Sequence, residues 1–126
     1  MKVKELKEMM REELTELFGK RVTFDHLDRL CYSHDIGVMP GFVKKIVGDT
    51  TPAAVVQAAN EAELISLIGL ADRWEVPLVP RGKSSSGYGG VLPTRGGIVV
   101  DFRRMNEVIE IDEALGVVRV GPGVIW

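Results

Sequence analysis

Apolar side chains recur at helical spacing over the first eighteen residues of the chain. The apolar positions share one face, while lysines and glutamates occupy the other; they are Val3, Leu6, Met9 or Met10, Leu14, Leu17 and Phe18. Gly19 follows at the position that a helix C-cap prefers. The pattern therefore predicts a helix from Lys2 to Phe18.

A second, shorter helix is predicted after this point, with Thr23 or Asp25 as its cap. Its apolar positions would share one face; they are Leu27, Leu30 and Cys31. Because Cys31 is the only cysteine, the chain can form no intramolecular disulfide and no cysteine-built zinc or iron–sulfur site. We expect Cys31 to pack as a small core hydrophobe. The glycines and proline of His34–Gly41 predict a loop.

The middle of the chain has the pattern of a strand, a helix and a second strand. The valine-rich run Ala53–Ala58 predicts a buried strand, and Val76–Val79, which contains Pro77, predicts another. Between them, Asn60 and Glu63 form a capping-box pattern that opens an amphipathic helix. Right-handed parallel pairing is the default for such a unit.

Three further strands are predicted towards the end of the sequence. They are Gly97–Phe102, Val108–Ile111 and Val117–Val120, with a turn between the last two. Together with the helices, these segments predict an α+β fold that contains a mixed sheet.

Composition narrows the class of protein. The chain is 45% hydrophobic and 27% charged, as is typical of a globular domain, and its net charge of -2 gives no general attraction to nucleic acid. Its apolar runs are interrupted well before the roughly 18 residues that a membrane span needs. We therefore expect a cytoplasmic protein.

The segment Arg81–Gly90 has the composition of an anion-binding loop, with four glycines and three serines in ten residues. Glycines allow positive φ and close approach of a ligand, while serine hydroxyls add donors, so a pyrophosphate would fit. Arg81 and Lys83 add positive charge. The alternative is a hairpin loop selected only for turn geometry, which would need the glycines but not three successive hydroxyls between cations.

Two other nucleotide-binding motifs fail on spacing. The triplet Gly82-Lys83-Ser84 resembles the end of a P-loop, but Pro77 stands where that motif requires its first glycine. A dinucleotide-binding fingerprint must open a helix, whereas Gly87–Gly90 leads into Val91-Leu92-Pro93 with no helix signal.

Five segments, in order and spacing, resemble the FAD-binding domain of the vanillyl-alcohol oxidase type of flavoprotein, and in particular the branch of glycolate oxidases and D-lactate dehydrogenases. They are Pro52–Val56, Val76–Gly82, Gly96–Asp101, Met105–Val108 and Val120–Val124. The resemblance covers about residues 35–126. It implies an N-terminal helical segment, residues 1–34, followed by the first α/β subdomain of such a domain, residues 35–126, in truncated form.

The resemblance also implies that the loop holds the pyrophosphate of FAD through main-chain amides and serine hydroxyls. The implied contact residues are Pro80, Arg81, Gly82, Lys83, Ser84, Ser85, Ser86, Tyr88, Gly89 and Gly90, with Pro122 and Gly123 as a second set. Family members that attach the flavin covalently through this loop have a histidine where Ser85 stands, so we expect FAD to bind non-covalently. Ser84 and Ser86 occupy positions where glycines are common.

Two classes of function follow from the resemblance. The first is an FAD-dependent oxidoreductase that oxidises a 2-hydroxy acid such as glycolate or D-lactate. The alternative is an isolated cofactor-binding module or subunit, catalytically inactive without a C-terminal half, because the family's domain continues past the Gly-Pro-Gly turn. No catalytic residue can be named. Exposed strand edges in a truncated domain predict self-association or a complementing chain.

The remaining polar candidates have simpler interpretations. His26 and His34 are expected to be surface or structural residues rather than metal ligands. Asp101, at the end of an apolar strand, is expected to bond nearby backbone or to pair with Arg103 or Arg104 rather than to act as a base.

Overall fold

The computed structural model describes residues 3–125 and has the predicted α+β fold. The helices are α1 (Glu8–Phe18), α2 (His26–Leu30), α3 (Gly41–Val47) and α4 (Glu61–Arg73), with a 3₁₀ turn, Gly19–Arg21, after α1. The strands are β1 (Val22–Thr23), β2 (Ala54–Val56), β3 (Leu78–Arg81), β4 (Ile98–Asp101), β5 (Val108–Asp112) and β6 (Val117–Val120).

Four of the strands form one mixed sheet in the order β1-β2-β4-β3, and β5 and β6 form a separate antiparallel pair. Both β2 and β3 run parallel to β4, whereas β1 runs antiparallel to β2. The predicted strand, helix, strand unit is present, but its two strands pair with β4 between them rather than with each other. Pro80 lies in β3, at the edge of the sheet, where a proline is tolerated.

The centre of the sheet is buried on both faces. Alternate residues of β2 and β4 pack against α1 and α4 in one hydrophobic cluster, whose main members are Ala54, Val56, Ile98, Val100, Met10, Leu14, Phe18, Leu67 and Leu70. Val55 and Val99 belong to the opposite face and are also buried. The sheet is thus a well-packed platform whose strand ends can present loops.

The amino-terminal end of α4 forms as the sequence predicts. The side chain of Asn60 accepts a 2.9 Å hydrogen bond from the main-chain N–H of Glu63. The Glu63 carboxylate reaches one residue further back, accepting from the N–H of Ala59 at 2.9 Å. These contacts satisfy donors that a helix start leaves without partners.

The first helix is shorter than predicted. It begins at Glu8, and Gly19 ends it with φ 53°, as expected of its C-cap. Before it, Val3 forms an isolated parallel bridge with Gly96 instead of adding a helical turn. The predicted start, Lys2, lies outside the described residues.

The prediction for the second helix was right about its cap and wrong about its apolar face. Asp25 caps α2 by accepting from the N–H groups of Leu27 and Asp28. However, Leu27 is 70% exposed and Cys31 is exposed, so Cys31 is not a core residue. The buried side chain is instead Arg29. Its guanidinium donates to the carbonyl oxygen of Pro52 at 3.1 Å and so joins α2 to the segment just before β2.

Helix α3 was not predicted. Its N-cap is Pro40 and its first residue is Gly41, so the predicted loop His34–Gly41 is non-helical as far as Pro40 and ends where α3 begins. Its side chains Phe42 and Ile46 are exposed. Within residues 3–125, no helix is both long enough and apolar enough to cross a membrane.

Candidate cofactor site

The glycine- and serine-rich loop begins at the carboxyl end of β3. The main-chain N–H of Phe102, just after β4, donates to the carbonyl oxygen of Arg81 at 3.0 Å, which fixes the point where the loop leaves the sheet. Because β2, β3 and β4 are parallel, their carboxyl ends lie at one edge. Ligands of such sheets characteristically bind outside this edge.

The loop presents a row of main-chain donors. Among residues 3–125, none accepts a hydrogen bond from the N–H groups of residues 82–88. Ser84 has φ 62° in the left-handed region, and its hydroxyl oxygen is buried without a partner in the described part of the chain. Buried polar atoms are nearly always satisfied, so the free donors and the Ser84 hydroxyl fit a bound anion.

The two cations of the loop have different surroundings. The Arg81 guanidinium donates to the carbonyl oxygens of Tyr32 and His34, at 3.2 and 2.9 Å, and lies 5.1 Å from the centre of the Tyr32 ring. Lys83 is exposed and lines a cavity beside the loop. Arg81 therefore anchors the start of the loop, while the Lys83 ammonium is accessible to a ligand.

The structure brings the second predicted contact segment to the same place. A Cβ atom built on Gly82 would lie 3.6 Å from the carbonyl oxygen of Pro122. One on Gly123 would lie only 1.9 Å from the carbonyl oxygen of Phe102, so any side chain there would force the turn away. Gly82 and Gly123 line one open cavity of about 470 Å³, together with Arg81, Lys83, Tyr32, Asp101 and Arg103.

Other members of the predicted set lie apart from this cavity. Ser85, Ser86, Gly90 and Pro80 are exposed, and Tyr88 is 98% exposed. None of these five residues lines the cavity between Gly82 and Gly123, and neither do Ser84 and Gly89.

Asp101 has the structural role expected of it. Its carboxylate accepts from the main-chain N–H of Arg103 at 3.0 Å and pairs with the Arg103 guanidinium at 2.6 Å. The Tyr32 hydroxyl, which the sequence did not single out, donates to the same carboxylate at 2.7 Å. Burial, together with the hydrogen bond to Asp101, raises the pKa of Tyr32 to about 12.

A second residue missed from the sequence is Asp35. Its carboxylate accepts from the N–H groups of Gly37 and Gly89, both at 2.8 Å, and thereby holds the far end of the loop. The pattern Asp35-Ile36-Gly37 is that of a turn in which an aspartate accepts from the amide two residues on, and this signal could have been found. The hydrogen bond from Gly89 joins residues 54 positions apart, and no local sequence pattern predicts it.

The histidines are exposed, as expected, and no metal centre is evident where the structure describes the chain. His26 lies in α2 and His34 in the segment that follows it. In residues 3–125, no group of three or more histidine, cysteine or acidic side chains could hold a metal ion.

A family model described as an FAD binding domain matches residues 52–126. The matched region contains β2, β3, β4, the loop and the Pro122-Gly123 turn. The chain therefore belongs to the family of FAD-binding domains. Its fold is that of the vanillyl-alcohol oxidase type, and its cofactor is FAD.

Particular relatives place the chain more closely. It is 35% identical over 118 residues to the glycolate oxidase subunit GlcD of Bacillus subtilis (strain 168), and 25% identical over 116 residues to a D-lactate dehydrogenase of Anaerostipes hadrus. Each match covers 92% of this chain and 23% of the relative. The structure of the 4-ethylphenol oxidase from Gulosibacter chungangensis superposes with a TM-score of 0.77 at 25% identity, covering 94% of this chain and 23% of that one. The chain thus spans about a quarter of the length of these proteins.

Proposed function

We propose that the loop Arg81–Gly90 holds the pyrophosphate of FAD non-covalently in an FAD-dependent oxidoreductase that oxidises a 2-hydroxy acid such as glycolate or D-lactate. The observation that carries the cofactor part is the row of unpaired N–H groups in residues 82–88 beside the buried, partnerless Ser84 hydroxyl. The names of the two relatives, a glycolate oxidase subunit and a D-lactate dehydrogenase, support the substrate class.

In this proposal the protein binds and orients the cofactor. The main-chain N–H groups of residues 82–88 and the Ser84 hydroxyl donate to phosphate oxygens, and Lys83 adds charge at the rim. The close turn at Pro122 and Gly123 forms the opposite wall. The remaining proposed contacts are Pro80, Arg81, Ser85, Ser86, Tyr88, Gly89 and Gly90. When bound, the flavin supplies the electron-transfer chemistry.

Titration with FAD tests the cofactor site. Visible absorption and the quenching of flavin fluorescence should show binding at micromolar FAD, and the flavin should stay in solution when the protein is precipitated with acid, because Ser85 offers no histidine for covalent attachment. Flavin that precipitates with the protein contradicts non-covalent binding, and no binding at micromolar FAD contradicts the site.

The substrate class needs the full-length protein. Dye reduction should be measured with glycolate and D-lactate, using L-lactate as the stereochemical control. Reduction with either of the first two and not with L-lactate supports the proposal, whereas failure of both in flavin-loaded protein contradicts it.

A second candidate is an isolated cofactor-binding module or subunit without activity of its own. The exposed apolar side chains of the β5–β6 pair favour a partner surface for it, either a second copy or a complementing chain; they include Val108, Ile109, Ile111 and Val117. Bound FAD without dye reduction, together with a larger species in light scattering, would favour this candidate. The division into an N-terminal helical segment, residues 1–34, and a partial FAD-binding domain, residues 35–126, stays a prediction, as does a cytoplasmic location.

A further inference from the structure

The carboxylate of Asp35 joins two separate parts of the chain at the loop. Its Oδ1 atom accepts from the N–H of Gly37, which closes a local turn, and its Oδ2 atom accepts from the N–H of Gly89. The second bond uses the only main-chain donor in residues 82–89 that has an acceptor among the described residues. Asp35 therefore holds the loop without occupying its free donors.

The same segment is also attached to the start of the loop. Arg81 donates to the carbonyl oxygens of Tyr32 and His34, so residues 32–37 contact both ends of the loop. Between these ends the two backbones touch, because a Cβ atom on Gly37 would lie 2.2 Å from the carbonyl oxygen of Gly87. Residues 32–37 thus form a template along which the loop lies.

We propose that Asp35 is a positioning residue of the FAD site, whose bond to Gly89 holds the loop in the conformation that directs the N–H groups of residues 82–88 to one anion. The inference rests on the proposed cofactor site. A glycine-rich loop loses much conformational entropy when it is ordered by a ligand, so a loop that is already held binds more tightly. Asp35 itself makes no contact with FAD in this account.

The charge of Asp35 is compatible with a neighbouring anion. Hydrogen bonds from Gly89 and Gly37 lower the pKa of its carboxyl group, and the positive charge of Arg81 acts in the same direction. The other titratable side chains around it, His34, Lys44 and Tyr88, line an adjoining cavity of about 620 Å³. Because both carboxylate oxygens accept from main-chain donors, these two hydrogen bonds stabilise the negative charge of Asp35.

The substitution Asp35→Asn separates the long-range bond from the local turn. The asparagine Oδ1 can still accept from Gly37, but its amide nitrogen cannot accept from Gly89. Asp35→Ser is a second variant, since a serine hydroxyl can close the same turn but is too short to reach Gly89. Asp25→Asn is the matched control, because Asp25 also accepts from two main-chain N–H groups, both within the cap of α2.

Two measurements on ¹⁵N-labelled protein, FAD affinity and amide relaxation, test the positioning role of Asp35. The dissociation constant for FAD should rise about tenfold in Asp35→Asn and in Asp35→Ser, as expected for loss of a hydrogen bond to a charged group, and should not change in Asp25→Asn. The heteronuclear ¹⁵N relaxation of Gly87 and Gly89 should show larger fast motion in the two Asp35 variants, while α4 keeps its rigidity.

The outcomes separate the two proposals. Asp35 variants that bind FAD as wild type does, or whose loop amides stay as ordered, overturn the positioning role and leave the cofactor site intact. A wild-type protein that binds no FAD overturns the proposed function and this inference with it. If Asp35→Asn does not fold, Asp35→Ser is decided by the same criteria; if neither folds while Asp25→Asn does, Asp35 is required for the fold and the specific positioning role is overturned.

Discussion

The hydroxyl group of Tyr32 donates a 2.7 Å hydrogen bond to the carboxylate of Asp101, which is only 2% exposed. The Arg103 guanidinium contacts both, pairing with the carboxylate and donating to the tyrosine oxygen at 2.7 Å. Because Tyr32 follows α2 and Asp101 ends β4, this contact holds the segment that carries Asp35 against the edge of the sheet beside the loop. The proposed cofactor site therefore depends on contacts between residues far apart in the sequence.

Replacing Tyr32 with phenylalanine should destabilise the protein by about 1–3 kcal/mol, because the buried Asp101 carboxylate loses a donor. Urea denaturation followed by circular dichroism measures the free energy of unfolding. Tyr88→Phe is the control, since Tyr88 is 98% exposed and should change stability by less than about 0.5 kcal/mol. Equal stabilities for the two variants would contradict the role of the Tyr32 hydroxyl.

The same variant should alter stability at alkaline pH. In the folded protein the pKa of Tyr32 is raised from 10.0 to about 12, so the neutral hydroxyl is favoured on folding. Its contribution to stability is complete below pH 10 and is lost as the pH rises towards 12. Denaturation midpoints of wild type should fall over this range, and Tyr32→Phe should lack that component of the decrease.

Two substitutions at Ser84 separate backbone strain from hydroxyl chemistry. Ser84 adopts φ 62°, which costs a residue with a side chain about 1 kcal/mol relative to glycine. Ser84→Gly should therefore stabilise the protein by about that amount, whereas Ser84→Ala keeps the strained φ and, because it removes a buried hydroxyl without a described partner, should not lower stability in the absence of FAD. Both remove the hydroxyl, so both should weaken FAD binding about fivefold to tenfold if it bonds a phosphate oxygen. Wild-type affinity for FAD in Ser84→Ala would contradict a hydrogen bond from the Ser84 hydroxyl to a phosphate oxygen.

Loss of the Arg21–Glu63 ion pair should account for part of the decrease in protein stability at low pH. Both side chains are about three-quarters buried, and one of their two contacts is 2.7 Å long. The hydrogen bond from Arg21 lowers the pKa of Glu63 from its ordinary value of 4.5. Desolvation raises this pKa, but its effect is smaller, so the net change is a lowering. This contribution is complete above pH 4.5 and is lost as the pH falls through the lowered value.

Glu63→Gln should accordingly cost about 2 kcal/mol at pH 7 and less below pH 4. Glu61→Gln, in the same turn of α4 but exposed, should cost about 0.5 kcal/mol or less. Denaturation at several pH values measures both. A cost for Glu63→Gln that does not vary with pH would contradict an ionic contribution.

Gly97 and Gly69 should respond in opposite directions to alanine. Gly97 has φ 86°, and a Cβ atom there would lie 2.1 Å from the carbonyl oxygen of Pro77, so Gly97→Ala should destabilise by about 3 kcal/mol or more. Gly69 lies in α4 with no atom within 4 Å of its Cβ position, so Gly69→Ala should stabilise by about 0.5–1 kcal/mol. Thermal melts of the pair provide the comparison, and destabilisation by both would contradict the open surroundings of Gly69.

Local patterns predicted the elements whose determinants lie within a few residues. The Asn60 cap and the helix after it follow from hydrogen bonds three residues apart, and β6 has the predicted bounds Val117–Val120 because a turn precedes a short valine-rich run. The prediction that Arg81–Gly90 binds an anion rests on the local glycine and serine content in the same way.

The remaining features depend on contacts that no local pattern encodes. The positions of β2 and β3 on either side of β4, the anchoring of Arg81 on the carbonyl oxygens of Tyr32 and His34, and the bond from Gly89 to Asp35 all join distant segments. Cys31 was wrongly predicted to be buried, because the apolar residues of so short a helix do not show which of its faces packs against the rest of the protein.

An amide NMR titration of ¹⁵N-labelled protein with FAD tests the proposed pyrophosphate site most directly. We expect the largest shifts at the main-chain N–H groups of residues 82–88 and at Gly123, with little change in α4. FAD binding that leaves these amides unmoved, or shifts confined to another surface, would contradict it.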